Sequence, residues 1–141
     1  EEDREALVQG LKDELIDVIV SDHKPEDEES KRLTFSQAAT GASGIETLLS
    51  LSLELYHNGS LKLEAIIKAL TSNPAKILKI NKGNLSIGND ADLCIVDIDK
   101  PWIVKKEKLY SKSKNTSIEN KKLQGKVTNT FVKGEELFKL Q

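Results

Sequence analysis

Asp22 is the residue whose type and position are best suited to chemistry in this chain. It follows a run of β-branched and apolar residues, Ile16–Val20, and precedes Pro25 and a long loop. In α/β folds catalytic groups sit at the carboxyl ends of buried strands, where a carboxylate can bind a metal ion or transfer a proton. The pattern equally allows a second interpretation, in which Asp22 caps the following turn through its own backbone.

The other candidate ligands have simpler structural explanations. His23 adjoins Asp22, but neighbouring residues of a strand point to opposite faces, so we expect His23 to pack behind the strand. His57 stands at a predicted helix end, where a positive charge is favourable. We interpret the acidic run 26–29 as a solvated loop rather than a metal site. Cys94 lies between apolar neighbours and is expected to be a buried thiol.

The elements that would position Asp22 follow helical periodicity through the first part of the chain. Apolar residues recur at helical spacing in residues 1–15, 45–56 and 63–70. A short helix is predicted to follow, with Asn73 as its N-cap and Pro74 at its first position. Residues 24–43 form a long loop, charged at its start and rich in small residues at its end, which is typical of a functional or disordered segment.

After Gly83 the pattern becomes that of strands. We predict a short strand and turn at 83–88, then strands at 91–97, 102–104 and 126–132, and a tight turn at 133–135 into a last strand. Residues 105–122 are rich in Lys, Asn and Ser and are predicted to be a surface excursion. The first part of the sequence contains a single predicted strand, which cannot form a parallel sheet alone. A complete (β/α)₈ barrel needs about 250 residues, more than this chain has. The missing partner strands are therefore expected upstream in the same protein or in another chain.

Composition excludes several functions. The chain has 141 residues, with 21 Lys+Arg against 23 Asp+Glu and 4% aromatic residues. This balance gives no electrostatic case for binding nucleic acid or an anionic membrane. No apolar run approaches the ~20 residues of a membrane span, and a single cysteine allows no internal disulfide. The absence of Met predicts an excerpt of a longer chain, for which a cytoplasmic location is the default.

Several ordered motifs together resemble one family. Five motifs carry this resemblance: Ile16–Pro25 (IDVIVSDHKP), Ala38–Thr47 (AATGASGIET), Asn73–Leu78 (NPAKIL), Gly83–Leu93 (GNLSIGNDADL) and Ser111–Thr116 (SKSKNT). Through them the chain is similar to the dihydroorotases of the amidohydrolase superfamily along essentially its whole length. The glycine-rich fourth motif is shared across the superfamily. The last motif resembles dihydroorotases rather than hydantoinases or allantoinases.

The resemblance implies roles for four residues. Asp22 matches the catalytic aspartate, which touches zinc and moves a proton between a metal-bound hydroxide and the leaving ring nitrogen. Thr40 and Gly41 match a loop whose backbone contacts the substrate. Glu26 stands where the family has a histidine that contacts the substrate carboxylate. Thr40 itself departs from the usual Phe or Pro, and Ser117 and Asn120 replace a proline and a glycine.

The resemblance also implies an α/β fold class: the C-terminal part of a TIM-type (β/α)₈ barrel at 1–80, followed at 81–141 by the C-terminal part of a small composite β-sandwich domain. The remaining zinc ligands of a dinuclear or mononuclear site would lie upstream, so we expect this chain alone to be inactive. The parent would interconvert dihydroorotate and N-carbamoyl-L-aspartate in pyrimidine biosynthesis and form a homo-oligomer.

Two other identities of the longer parent protein remain as alternatives. One is another cyclic amidohydrolase, of the hydantoinase or allantoinase type. The other is a catalytically dead homologue that serves as a structural partner of aspartate transcarbamoylase. Glu26 in place of histidine favours the dead homologue, because a carboxylate repels a substrate carboxylate, whereas the presence of Asp22 argues against it.

Overall fold

The computed structural model describes residues 1–141 as a mixed α/β chain with its helices first and its sheet last. The helices are α1 (Glu2–Lys12), α2 (Glu28–Lys31), α3 (Leu48–His57), α4 (Leu63–Leu70) and α5 (Ser72–Ile77). The strands are β1 (Leu93–Ile103), β2 (Lys122–Val132) and β3 (Glu135–Lys139), which form one antiparallel sheet in the order β1-β2-β3. None of the helices has the length and apolar character needed to cross a bilayer.

The predicted strand at Ile16–Val20 does not form a ladder in this chain. The segment is held by helix α4 instead, where the Ile19 N–H donates to the carbonyl of Ala69 at 3.2 Å. A strand needs a neighbour, and no strand of the chain lies beside this one. Val20 is accordingly 72% exposed. Because β structure depends on partner strands, which are expected to lie outside this chain, the strand at Ile16–Val20 stays a prediction.

The start of helix α5 also differs from the prediction. Thr71 occupies the N-cap position, and Asn73 lies inside the helix. The Asn73 amide Nδ2 donates to the carbonyl of Asp17 at 2.9 Å. The side chain therefore joins the helix to the segment that leads to Asp22, instead of capping its own helix.

The sheet corrects three predictions. The two predicted strands on either side of residue 98 are one strand, β1, with a register irregularity between Asp97 and Pro101. Proline is tolerated there because β1 is an edge strand with a single neighbour. Cys94, on this edge, is exposed rather than buried. Residues 83–88 form a turn and not a strand, since the Asn84 side chain accepts from the backbone of Ser86 and competes with a ladder.

Helix α3 packs unusually close to strand β2 at Gly125. Gly125 in β2 has φ +94°, and a Cβ built there would lie 2.3 Å from Leu53 Cδ1. Ser50 Oγ donates to the Gly125 carbonyl at 2.6 Å, and the Trp102 indole N–H reaches the same carbonyl at 3.1 Å. Trp102 thereby packs the β region against helix α3. These contacts fix α3, and the loop that precedes it, to the sheet.

The chain exposes far more surface than a globular monomer of its mass. Its accessible surface is 10095 Å². A monomer of 15.6 kDa should expose about 7,250 Å² by the usual scaling of area with mass. The excess of about 2,800 Å² is several times the ~800 Å² that one partner contributes to a standard interface. Much of the surface is apolar, and only 13 of 141 residues are buried.

Candidate functional site

Asp22 lies where the segment from Ile16 meets the small-residue loop at Gly41–Glu46. The Asp22 side chain is exposed, and its backbone adopts φ +43°, a conformation that few non-glycine residues take. Directly after it, His23 forms an isolated parallel bridge with Ala42, and the Lys24 N–H donates to the Ala42 carbonyl at 3.1 Å. These contacts bring Asp22 and the loop together.

Gly41 is required by the geometry of this junction. It has φ +117°, and an added Cβ would lie 2.6 Å from the Lys24 carbonyl oxygen and 2.8 Å from Lys24 Cβ. A side chain would therefore separate the loop from the segment that carries Asp22.

His23 has the structural role that was predicted for it, but it binds the loop instead of packing behind a strand. Its Nδ1 accepts hydrogen bonds from the backbone N–H of Gly44 at 3.1 Å and of Ile45 at 3.3 Å. Nδ1 must carry no proton to accept them, so the hydrogen-bond network assigns the proton of the neutral ring to Nε2. His23 thereby holds the entrance to helix α3 next to Asp22. His57, at the other end of α3, contacts the Ile98 carbonyl at 3.1 Å through Nε2.

The segment Leu109–Thr116, here called the strap, lies across the loop. The prediction that residues 105–122 form a surface excursion was therefore wrong for this part. Leu109 is buried. The Asn115 carbonyl accepts from the Ser43 N–H at 2.7 Å, and its amide Nδ2 donates to the Gly41 carbonyl at 3.2 Å. Both oxygens of Glu46 accept backbone N–H groups of the strap, at 2.9 Å from Tyr110 and 2.8 Å from Ser111.

Two of the four predicted site residues line an open cavity of about 660 Å³. Its polar end contains Ser21, Asp22, Gly41 and Ser43, and its opposite wall is made of leucines of helices α1 and α3. The polar end is the candidate functional site. The leucine wall suits contact with further protein better than contact with a polar ligand.

Glu26 and Thr40 do not line this cavity. Glu26 is half-buried, and its carboxylate lies 3.7 Å from Lys24 Nζ, while its backbone carbonyl accepts from the Ser113 hydroxyl. Thr40 is exposed beside Gly41. The structure therefore brings Asp22 and Gly41 together and leaves the Glu26 carboxylate outside the polar end.

The donor set of this chain does not fit a metal centre. No group of three or more His, Cys, Asp or Glu side chains is placed to hold an ion. His23, the nearest imidazole in sequence to Asp22, already uses Nδ1 to accept backbone hydrogen bonds. Asp22 would thus be a single ligand, and the chain by itself supplies no coordination sphere.

Sequence reasoning missed the residues that hold the loop. Ser43, Glu46 and Asn115 make contacts across more than sixty positions of sequence, as the separations of 65 and 74 residues for Ser111–Glu46 and Asn115–Gly41 show. Glu46 and Asn115 lie within motifs of the resemblance, but only the folded chain shows that these two motifs bind each other.

Comparison with known proteins finds relatives along the whole chain. The dihydroorotase of Ehrlichia chaffeensis is 43% identical over 141 residues, which are 100% of this chain and 32% of that protein. The dihydroorotase of a Wolbachia from Drosophila simulans is 44% identical over 138 residues, 98% of this chain and 31% of its own length. The chain thus spans about a third of the length of the curated relatives it matches.

Solved structures show the same fold. L-Hydantoinase (dihydropyrimidinase) from Arthrobacter aurescens superposes with a TM-score of 0.88 at 32% identity, over 94% of this chain and 31% of that one. Dihydropyrimidinase from Brevibacillus agri superposes with a TM-score of 0.89 at 21% identity, over 96% of this chain and 31% of that one, and supports the fold alone. The model of the amidohydrolase family matches residues 1–137. With its fold, its motifs and nearly its whole length in agreement, the chain belongs to the amidohydrolase family.

Proposed function

We propose that this chain is the C-terminal part of a zinc-dependent dihydroorotase, which reversibly hydrolyses the cyclic amide of dihydroorotate to N-carbamoyl-L-aspartate in pyrimidine biosynthesis in the cytoplasm. The observation that carries the proposal is 43% identity over all 141 residues to a protein named dihydroorotase. The Ser111–Thr116 motif adds support, because it resembles dihydroorotases rather than hydantoinases.

Asp22 is the proposed proton carrier and one metal ligand. Its exposed carboxylate lines the polar end of the cavity. In hydrolysis it takes a proton from the attacking water and delivers it to the ring nitrogen, as the carboxylate of a general base does before acting as general acid. In ring closure the same proton moves in the opposite direction.

The substrate-binding donors are proposed to be the backbone N–H groups at Thr40 and Gly41. The N–H groups of Ser43, Gly44 and Ile45 already donate within the protein. A backbone contact from this loop to an anionic substrate therefore falls to the residues before Ser43. The Glu26 side chain would border this region only after moving, and its charge is partly offset by Lys24.

Zinc is proposed for the parent because the family resemblance implies it. Since this chain supplies no complete ligand set, the other ligands must come from protein outside it, and the chain alone is expected to be inactive. When bound, zinc would supply a water molecule of lowered pKa and polarise the amide carbonyl.

Residues 1–80 are proposed to be the last β/α units of a TIM-type barrel, and residues 81–141 the C-terminal segment of a composite β sandwich. The unpaired segment at Ile16–Val20 and the open edges of β1 and β3 fit partner strands from the remainder of the protein. The excess of about 2,800 Å² of exposed surface supports the same proposal. The complete protein is proposed to be a homo-oligomer.

The test is steady-state turnover of the full-length protein with zinc, on dihydroorotate and on N-carbamoyl-L-aspartate. Asp22→Asn should lower kcat by at least about a hundredfold in both directions, the range of general acid–base catalysis. Asp17→Asn is the matched control, because it makes the same change on an exposed side chain of the same segment. An inert wild-type protein with full zinc occupancy would reject the proposal.

Two other functions are separated by the same measurements. Hydantoinase activity is favoured by the 32% identity and TM-score of 0.88 to L-hydantoinase, and turnover of hydantoins in preference to dihydroorotate would support it. A catalytically dead partner of aspartate transcarbamoylase is favoured by Glu26 in place of histidine. Absence of turnover together with co-purification of active aspartate transcarbamoylase would support that function.

A further inference from the structure

The loop Gly41–Glu46 is held on both of its sides by groups distant in sequence. On the side of Asp22, His23 accepts the N–H groups of Gly44 and Ile45. On the opposite side, the strap supplies the carbonyl and the side-chain amide of Asn115 and two backbone N–H groups that bind Glu46. Almost every polar contact that fixes the loop thus comes from elsewhere in the chain.

Glu46 binds the strap in a bidentate manner. Each carboxylate oxygen accepts one N–H, Oε2 from Tyr110 at 2.9 Å and Oε1 from Ser111 at 2.8 Å. Hydrogen bonds to a charged acceptor are stronger than neutral ones, and two parallel bonds also fix direction. The strap is therefore bound to the turn that precedes helix α3. Helix α3 is in turn bound to the sheet through Ser50.

Asn115, which lies in the strap, makes two hydrogen bonds to the loop. Its carbonyl accepts the Ser43 N–H at 2.7 Å, and its Nδ2 donates to the Gly41 carbonyl at 3.2 Å. The two contacts lie on either side of Ala42, which pairs with the segment next to Asp22. The Gly41 carbonyl belongs to the peptide between Gly41 and Ala42, and the Ser43 N–H belongs to the next peptide. The two contacts therefore fix the two peptide planes directly after Gly41, from which the Gly41 N–H is separated only by the torsions of Gly41 itself.

From these contacts we infer that Glu46 and Asn115 are positioning residues for substrate binding, acting through the strap on the Gly41 backbone. The inference rests on the proposed function, because the ligand held by the loop is the substrate proposed there. Neither side chain needs to touch the substrate. Their effect is to keep the loop's backbone donors aligned before the substrate arrives, which lowers KM more than it changes the chemical step.

The experiment uses the full-length zinc protein and two nearly isosteric variants, Glu46→Gln and Asn115→Asp. Glu46→Gln leaves one acceptor oxygen and turns an NH₂ group towards the second strap N–H. Asn115→Asp removes the donor to the Gly41 carbonyl and places a carboxylate against it. Glu54→Gln is the matched control, because Glu54 is a carboxylate of helix α3, which follows Glu46, and it pairs with Lys121 at 2.9 Å rather than with the strap.

Each test variant should raise KM for dihydroorotate about tenfold with kcat within about twofold, and the double variant should raise it little further, because both changes release one strap. Hydrogen exchange at the Ser43 amide should accelerate about tenfold in both variants, with an unchanged urea midpoint. Glu54→Gln should leave KM and Ser43 exchange at their wild-type values.

The outcomes separate this inference from the proposed function. Unchanged KM in an active protein overturns the inference, whether or not Ser43 exchanges faster. A wild-type protein that is inert on all cyclic amides rejects the proposed function, and the strap is then judged by exchange alone. Protection of the Ser43 amide that both variants abolish supports the positioning contact, and protection that neither variant changes overturns it.

Discussion

Replacing Gly125 with alanine should destabilise the protein through a clash between helix α3 and strand β2. The new methyl group would lie 2.3 Å from Leu53 Cδ1 and 3.3 Å from the Ile98 carbonyl oxygen. Leu53 is fully buried and cannot rotate into solvent. Overpacking of this kind costs about 1–3 kcal/mol, and the φ of +94° adds about 1–2 kcal/mol of backbone strain for a residue with a Cβ.

Gly88→Ala is a control that separates these two contributions. Gly88 has φ +93°, and a Cβ there would meet nothing within 4 Å. Both replacements restrict the unfolded chain equally, so that effect cancels between them. Gly88→Ala should therefore lower the free energy of unfolding by the strain contribution alone, and Gly125→Ala by about 1–3 kcal/mol more. Urea unfolding measured by circular dichroism gives both values.

Equal destabilisation by the two replacements would refute the reasoning. It would mean that α3 can move away from β2 without loss, so the close approach would not hold the helix in place. A second check is Leu53→Ala in the Gly125→Ala background. Removing the leucine side chain frees the space for the new methyl group, so the two changes together should cost less than the sum of their separate effects.

Other contacts give predictions of their own. Gly41→Ala should raise KM for dihydroorotate by at least about tenfold, because its Cβ would meet the Lys24 backbone, whereas Gly88→Ala should leave KM unchanged in the same assay. Trp102→Phe should lower the free energy of unfolding by about 1–2 kcal/mol in urea, because the buried acceptors lose the indole N–H. The hydrogen bond from Lys82 to Asp92 lowers the pKa of that carboxyl, so its small stabilising effect is complete above the ordinary aspartate pKa of about 3.9 and is lost as the pH falls through the lower folded value. Lys82→Met should flatten the acid limb of thermal stability measured against pH.

Local patterns predicted those parts of the fold whose causes are local. The apolar periodicity at α3 and α4 gave both helices, since an amphipathic stripe needs only one face to pack against. The hairpin between β2 and β3 was also predicted, because its turn residues lie within a few positions of each other. The strand at 16–20 stays a prediction for the opposite reason, because the partner strands it needs are not in this sequence and no local property can supply them.

The candidate site likewise contains residues that could be predicted from the sequence and residues that could not. Asp22 was a candidate from its place at a predicted strand end and Gly41 from the family resemblance, and the structure brings both to one cavity. The buried position of Cys94 was predicted wrongly, because an apolar neighbourhood in sequence does not say that β1 is an edge strand. Glu46 and Asn115 lie within motifs of the resemblance, but nothing local in the sequence indicates what they bind, since a carboxylate near a helix start and an asparagine in a Lys-rich run are ordinary surface residues.

The strap makes the two parts of the chain dependent on each other. Asp22 and its loop lie before residue 80, but the hydrogen bonds that set the loop come from Leu109–Thr116, beyond the predicted division at 80 and 81. Residues 1–80 without the rest of the chain would keep the Asp22 carboxylate and lose the strap's contacts to the loop. The β region is therefore more than an appended domain, because it contributes the contacts that orient the backbone beside Asp22. Under the proposed function, selection for substrate binding would act on strap residues that need not touch the substrate. This gives a physical reason for a short polar motif in this segment to distinguish one kind of cyclic amidohydrolase from another.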